Sequence, residues 1–250
     1  GGGYIGLEAA AVAAAKGLKV TLVEIADRIL QRVACTETSD YFRALHESQG
    51  VRILEGVGLE RLTGDGQVTG AILSNGKALE INFAIVGVGI LPDTSLAKAA
   101  GLKLNNGIET NSQGQTSVPN IWAAGDCASF PYQGGRIRLE SVPNAIDQAE
   151  VVAANMLGAT LDYIAAPWFW SDQFDVKLQI AGLNTGFTDI ILRNSGSARS
   201  HWYYKSTTLL AVDAMNDPRA YMVAKRLIQA GKSADPITVA DPQSDLKVLL

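Results

Sequence analysis

The stretch Gly1–Glu24, GGGYIGLEAAAVAAAKGLKVTLVE, decides how the rest of the chain is read. Gly1, Gly3 and Gly6 fit the spacing GxGxxG, with Tyr4 and Ile5 inside the turn. Leu7 to Lys16 is rich in Ala, the strongest helix former, and Gly17 supplies a residue able to close that helix. Lys19–Val23 then reads as a buried parallel strand ending at Glu24. Glycine turn, helix, strand and acid in this order form the dinucleotide-binding pattern. Gly1 allows the tight turn, Gly3 lets the backbone approach a pyrophosphate, and Gly6 allows close packing of helix on strand. The free N–H groups and dipole at the helix start favour the phosphates. Glu24 is placed to accept hydrogen bonds from both ribose hydroxyls of adenosine and to repel a 2′-phosphate, which favours NAD(H) over NADP(H). A bare glycine-rich tight turn is the competing reading, disfavoured by the helix, strand and acid that follow in order.

Composition removes several function classes. A chain of 250 residues with 47% hydrophobic content can bury a sizeable core in one or two domains. A net charge of −4 gives no general argument for nucleic acid or membrane binding. The longest apolar stretch, Ala9–Ala15, is far too short to span a bilayer and is flanked by Glu8 and Lys16, unlike a leader peptide. Cys35 and Cys127 lie far apart with no CxxC, so a redox-active disulfide and a structural zinc site are not expected. A cytoplasmic setting follows as the default, and the start at Gly1 suggests a piece of a longer chain.

Further along, a second helix is predicted over about Thr38–Gln49, with Phe42 and Leu45 inward and Gly50 as its stop. Val51–Leu54 reads as a strand. Leu59–Leu62, Val68–Leu73 and Ala78–Ile81 read as a meander split by the turns Gly64-Asp65-Gly66 and Asn75-Gly76. Ala84–Val88 reads as another buried strand, and Pro119–Asp126 as a strand ending in a glycine-aspartate turn. Asn144–Leu157 is predicted to be a helix with Ile146, Ala149, Val152, Ala153 and Met156 on one face. After Gly158 the pattern predicts an antiparallel sheet and a helix over Arg219–Gln229, as a separate domain.

By the residues alone, Glu8 is an acid favoured at a helix start by the dipole. Gly125-Asp126 is balanced between a ligand carboxylate at a strand's C-terminal edge and an ordinary capping turn. Trp168-Phe169-Trp170 and Trp202-Tyr203-Tyr204 read as packing and strand alternation, since no basic stripe surrounds either run. His46 and His201 sit in no metal or triad spacing and are expected in core or surface roles.

Five stretches in order, GGGYIGLEAAA, VGVGILPDT, TSVPNIWAAGDCA, RLESVPNAIDQA and PWFWSDQFDVKLQIAGL, resemble the FAD-dependent, NADH-oxidising ferredoxin reductases of oxygenase systems. These serve aromatic-ring dioxygenases and bacterial cytochromes P450, with the rubredoxin reductases as relatives. The resemblance covers essentially the whole chain. It implies an α/β flavoprotein with two dinucleotide-binding domains, like glutathione reductase, plus an α+β C-terminal domain. Residues 1–86 would be the NAD-binding domain without its first strand, 87–162 the returning half of an FAD domain, and 163–250 the C-terminal domain. The N-terminal FAD lobe would lie outside these residues, and the resemblance does not imply that they are active alone.

The same resemblance implies roles by position. Gly1, Gly3, Tyr4, Ile5 and Gly6 would hold the NADH pyrophosphate, and Glu24 its ribose. Glu8 and Gly89 would line the nicotinamide site. Gly125 and Asp126 would meet the ribityl chain of FAD. Glu140, Ser141 and Val142 would lie beside the isoalloxazine, where many members carry Trp in place of Val142. Trp170 would lie near the flavin. The implied cofactors are FAD and NAD, and the implied partner is a ferredoxin or rubredoxin-type carrier. From Arg193 to Lys232, seven basic residues stand against two acids, a net charge of +5, which could steer an acidic partner or simply form a solvated face. An NADH oxidase, a nitrite-reductase-like flavoenzyme of the same fold, and a non-catalytic NAD-binding fragment remain as alternatives.

Overall fold

The computed structural model describes all 250 residues. The opening glycines feed helix α1 (Tyr4–Ala15), which Gly17 closes at φ +79°. Strand β1 (Thr21–Val23) follows, then α2 (Thr36–Ser48) and β2 (Arg52–Leu54), which pairs parallel with β1. Cys35 caps α2 by accepting the Thr38 N–H, and Phe42 and Leu45 turn inward. The meander is present as β3 (Leu59–Thr63), β4 (Gly70–Leu73) and β5 (Ala78–Glu80), all antiparallel.

Two expected strands are not formed. Residues 84–88 make no ladder, and Ile85, Val86 and Val88 are exposed. A strand needs a neighbour to supply hydrogen bonds, and here the segment instead runs past the glycine turn. In Pro119–Asp126 only Trp122 makes an isolated bridge, to Gln115, before a 3₁₀ turn at Gly125–Cys127. Its backbone bonds go to a loop, with Ala123 N–H donating to Gly114 O at 3.0 Å.

After the short helix α3 (Ser95–Ala99), strands β6 (Ile108–Glu109), β7 (Ala128–Tyr132) and β8 (Gly135–Ile137) form a small mixed sheet. Helix α4 (Val142–Met156) matches the expected extent, but of the five residues expected to share a face only Val152 is buried. Ile146, Ala149, Ala153 and Met156 are exposed, while Asn144, Gln148, Val152 and Asn155 are buried. The polar side chains face inward because they satisfy loop backbone. Gln148 Oε1 accepts the Gly125 N–H at 2.8 Å, and Asn155 Nδ2 donates to the carbonyls of Gln113 and Leu161.

The C-terminal part has β9 (Trp168–Gln173), β10 (Val176–Gly182), β11 (Asp189–Ser195), β12 (Ala198–Lys205) and β13 (Thr208–Met215) in one antiparallel sheet. Their spatial order is β11-β12-β13-β10-β9. Helices α5 (Pro218–Gln229) and α6 (Pro236–Ala240) follow. Period-two alternation gives this sheet two buried faces. Trp202, Tyr204 and Val212 pack with Tyr221, Ala224 and Leu227 of α5. On the opposite face Leu178, Ile180 and Met215 share a core with Leu7, Leu22 and Phe42. The sheet is therefore a layer between α5 and the α1–α2 unit.

Candidate functional site

The glycine turn is tight where its sequence requires it and open where a ligand would enter. A Cβ on Gly6 would lie 1.9 Å from the Gly1 carbonyl oxygen, and one on Gly1 would lie 2.2 Å from the carbonyl oxygen of Gly87. One on Gly3 would meet nothing within 4 Å. Gly3 is the N-cap of α1, offers no side-chain cap, and accepts the Leu7 N–H at 3.0 Å as the first intrahelical bond. The N–H groups of Tyr4, Ile5 and Gly6 thus precede the helical ladder and are open to an anion. This cradle fits a pyrophosphate.

Glu24 lies beside that cradle. Its Oε2 accepts the Gly2 N–H at 2.5 Å and its Oε1 the Ala26 N–H at 2.8 Å. Each carboxylate oxygen has a further acceptor site, so ribose hydroxyls can still be bound. Gly89, at φ +100°, passes near Arg32 in the strandless segment that follows Gly87.

A second group gathers around the start of α4. Gly125, at φ +77°, backs onto Ala145, and the Asp126 side chain is exposed next to it. Ser141 caps α4 and donates its hydroxyl to the Trp168 carbonyl at 3.4 Å. Val142 is 62% exposed and Trp170 42%, so two apolar side chains face outward here. Glu140 pairs with Arg138 at 2.6 Å. Exposed apolar groups beside a free carboxylate fit a flavin with its ribityl chain.

Strand β9 links the two groups. Trp168 and Trp170 occupy one of its faces, while Phe169, Ser171 and Gln173 occupy the other, toward α1 and α2. Phe169 meets Tyr4 edge-to-face at 4.8 Å, and Ser171 Oγ donates to Glu8 Oε1 at 2.6 Å. Glu8 and Trp170 therefore flank the edge strand from opposite sides.

A buried polar cluster went unread in the sequence. Thr38 Oγ1 donates to Asp213 Oδ2 at 2.8 Å, and the Tyr203 hydroxyl donates to the same oxygen. His201 Nδ1 lies 2.7 Å from Thr38 Oγ1, and the Cys35 N–H donates to the Tyr203 hydroxyl at 3.0 Å. The threonine proton is committed to Asp213, so His201 carries its proton on Nδ1. Burial lifts Asp213 to about 6 and, aided by the Arg199 charge, pushes His201 down to about 4. Burial also raises the Cys35 thiol. The available signal was the cap spacing Cys35-x-x-Thr38 and the shared inward parity of His201 and Tyr203. Residues 35–38 and 201–213 lie too far apart in sequence for any spacing rule to join them.

The expected basic face needs one correction. Arg193 is buried, and its guanidinium donates to the Pro242 and Ser244 carbonyls at 3.2 and 2.9 Å. It anchors the C-terminal loop because a buried guanidinium needs many acceptors. Lys225 Nζ sits 4.1 Å from the centre of the Trp168 ring, where burial lowers its pKa. Arg219, Arg226 and Lys232 are exposed.

Residues 1–149 match the family model described as pyridine nucleotide-disulphide oxidoreductase, and residues 168–250 match the one described as reductase C-terminal. The chain belongs to the pyridine nucleotide-disulphide oxidoreductase family. Its relatives in that family are the reductases that the sequence motifs resemble. It is 38% identical to rhodocoxin reductase of Rhodococcus erythropolis and 40% identical to putidaredoxin reductase of Pseudomonas putida, in each case over 100% of this chain. It spans only about three fifths of those relatives, 60% and 61% of their lengths. Among solved structures, the ferredoxin reductase for the CYP199A2 system of Rhodopseudomonas palustris superposes with a TM-score of 0.96 at 42% identity, covering 99% of this chain and 63% of that one. The putidaredoxin reductase–putidaredoxin complex gives 0.95 at 39% identity, covering 100% and 61%. No helix is long and apolar enough to cross a membrane.

Proposed function

We propose that the full-length protein carrying this chain is a cytoplasmic flavoprotein. It passes electrons from NADH through FAD to a ferredoxin- or rubredoxin-type iron–sulfur protein that serves a dioxygenase or a P450. The observation that carries this reading is the cradle at Gly1–Gly6. It combines an open Gly3, free N–H groups on α1 and an adjacent Glu24 in a chain whose relatives are named ferredoxin reductases.

Within this reading, residues 1–86 form the NAD-binding domain, 87–162 part of an FAD domain and 163–250 the C-terminal domain. The Tyr4, Ile5 and Gly6 N–H groups bind the NADH pyrophosphate, and Gly3 lets it approach. Glu24 accepts from the ribose hydroxyls and disfavours a 2′-phosphate. Glu8 and Gly89 line the nicotinamide. Asp126, beside Gly125, holds the ribityl chain, while the Glu140–Val142 backbone and the Trp170 side chain flank the ring system. Bound FAD supplies hydride acceptance and one-electron release, and the chain's own work is positioning and exclusion of water. Arg219, Arg226 and Lys232 give the C-terminal domain a positive face for an acidic carrier.

The test is steady-state NADH oxidation by the full-length protein against a panel of ferredoxins and rubredoxins. Acceptor-dependent turnover well above the rate with oxygen alone is expected. A rate with oxygen alone that no carrier increases would instead make the protein an oxidase.

A further inference from the structure

Glu8 is the end of a one-way hydrogen-bond chain that starts on α2 and crosses β9. Ser171 Oγ lies 2.6 Å from Glu8 Oε1, Gln173 Nε2 lies 3.1 Å from Ser171 Oγ, and His46 Nε2 lies 2.9 Å from Gln173 Oε1. His46, Gln173 and Ser171 are fully buried. Proton counting fixes every direction. A carboxylate only accepts, so the single serine proton goes to Glu8. The serine oxygen must then receive a hydrogen from Gln173, which turns the amide NH₂ toward Ser171 and the amide oxygen toward His46. His46 must donate from Nε2, leaving Nδ1 bare. That nitrogen is buried and has no partner, and burial keeps the imidazole neutral by lowering its pKa. No link can reverse alone without setting two donors or two acceptors face to face in a buried site. The chain leaves the other Glu8 oxygen, Oε2, without a protein partner.

We propose that Ser171, Gln173 and His46 are positioning residues that fix the Glu8 carboxylate so that its free oxygen accepts the N–H of a bound nicotinamide carboxamide. The proposal rests on the reading of Glu8 as a nicotinamide neighbour. It gives the C-terminal sheet a part in nucleotide binding, because Ser171 and Gln173 belong to β9 while Glu8 belongs to α1.

The test uses the full-length holoenzyme and two readouts. Calorimetric Kd values for NAD⁺, with kcat and KM for NADH, are measured for Glu8→Ala, Ser171→Ala and the double variant. The histidine tautomer is read from ¹⁵N shifts, with His46 assigned by its loss in His46→Asn. The expected results are weaker binding by about tenfold in Glu8→Ala and weaker binding in Ser171→Ala. The double variant should bind no more weakly than Glu8→Ala, and His46 should carry its proton on Nε2. Unchanged binding in Glu8→Ala would overturn the reading of Glu8 and the relay with it. Weaker binding in Glu8→Ala combined with an unchanged Ser171→Ala, additive losses, or a His46 proton on Nδ1 would overturn the relay alone. If Ser171→Ala does not fold, Gln173→Met replaces it in the same cycle with the same criteria.

Discussion

The Thr38 hydroxyl donates to the Asp213 carboxylate at 2.8 Å, tying the first turn of α2 to the central strand of the C-terminal sheet. The same oxygen accepts from His201 Nδ1. Replacing Thr38 by Val keeps the shape but leaves a buried carboxylate short of one donor and a buried imidazole N–H with only the Cys35 sulfur, 3.8 Å away, to accept it. The expected loss is about 2–3 kcal/mol, read from urea melts. Thr38→Ser keeps the hydroxyl and should stay near wild type. Equal stability of the Val and Ser variants would show that the cluster is not holding the two layers together.

The cluster also sets a pH dependence with two opposing parts. Asp213 is lifted to about 6 from its ordinary 3.8, so the folded state holds a proton that the unfolded chain has released, and this part of the stability falls as pH rises from about 4 to 6. His201 is pushed down to about 4 from 6.5, so the unfolded chain holds the extra proton, and this part rises with pH over about 4 to 6.5. Asp213→Asn removes the first part alone. Relative to wild type, its stability should climb with pH between about 4 and 6. Parallel pH–stability curves for the two proteins would contradict the assigned burial of Asp213.

Gly3 and Gly6 should separate binding from folding. Alanine at Gly6 would place its Cβ 1.9 Å from a backbone oxygen, so this variant should lose stability and NADH binding together. Alanine at Gly3 meets nothing, and its φ of −78° suits any residue, so this variant should melt like wild type. Its Kd for NADH should nevertheless rise by about tenfold or more, because the Cβ occupies the approach of the pyrophosphate. Wild-type NADH affinity in Gly3→Ala would remove the cradle from the site.

The basic residues of the C-terminal region should divide by burial. Arg219→Gln with Arg226→Gln should lower kcat/KM for the protein acceptor and flatten its salt dependence, with melting unchanged. Arg193→Gln should do the reverse, because its guanidinium holds the loop carbonyls of residues 242 and 244. A salt profile unmoved by the Arg219 and Arg226 changes would place carrier docking elsewhere.

Much of the fold was legible because local rules govern it. The glycine turn, α1, the meander with its Asn75-Gly76 turn and the strands after Gly158 all follow from residue type and period. The face of α4 did not, because Asn144, Gln148 and Asn155 are buried for the loop carbonyls and N–H groups they satisfy, and a hydropathy pattern cannot express that. Residues 84–88 carry the apolar signature of a strand, but a ladder depends on a neighbour that the pattern does not reveal. Of the site, the Gly1–Glu24 cradle could be reasoned from spacing alone. The roles proposed for Glu8, Asp126 and Trp170 rest on the resemblance. The relay of His46, Gln173 and Ser171 joins residues more than 120 positions apart, so only the packing of one face of β9 against both α1 and α2 brings it together.

The central claim is transfer from NADH through a bound flavin to an iron–sulfur carrier. It is tested most directly by anaerobic stopped-flow absorbance of the full-length holoenzyme. Mixing with NADH should bleach the flavin band, and a second mixing with oxidised ferredoxin or rubredoxin should restore it while the carrier becomes reduced. A preparation that neither contains nor takes up FAD, or a flavin that NADH does not bleach, would contradict the account.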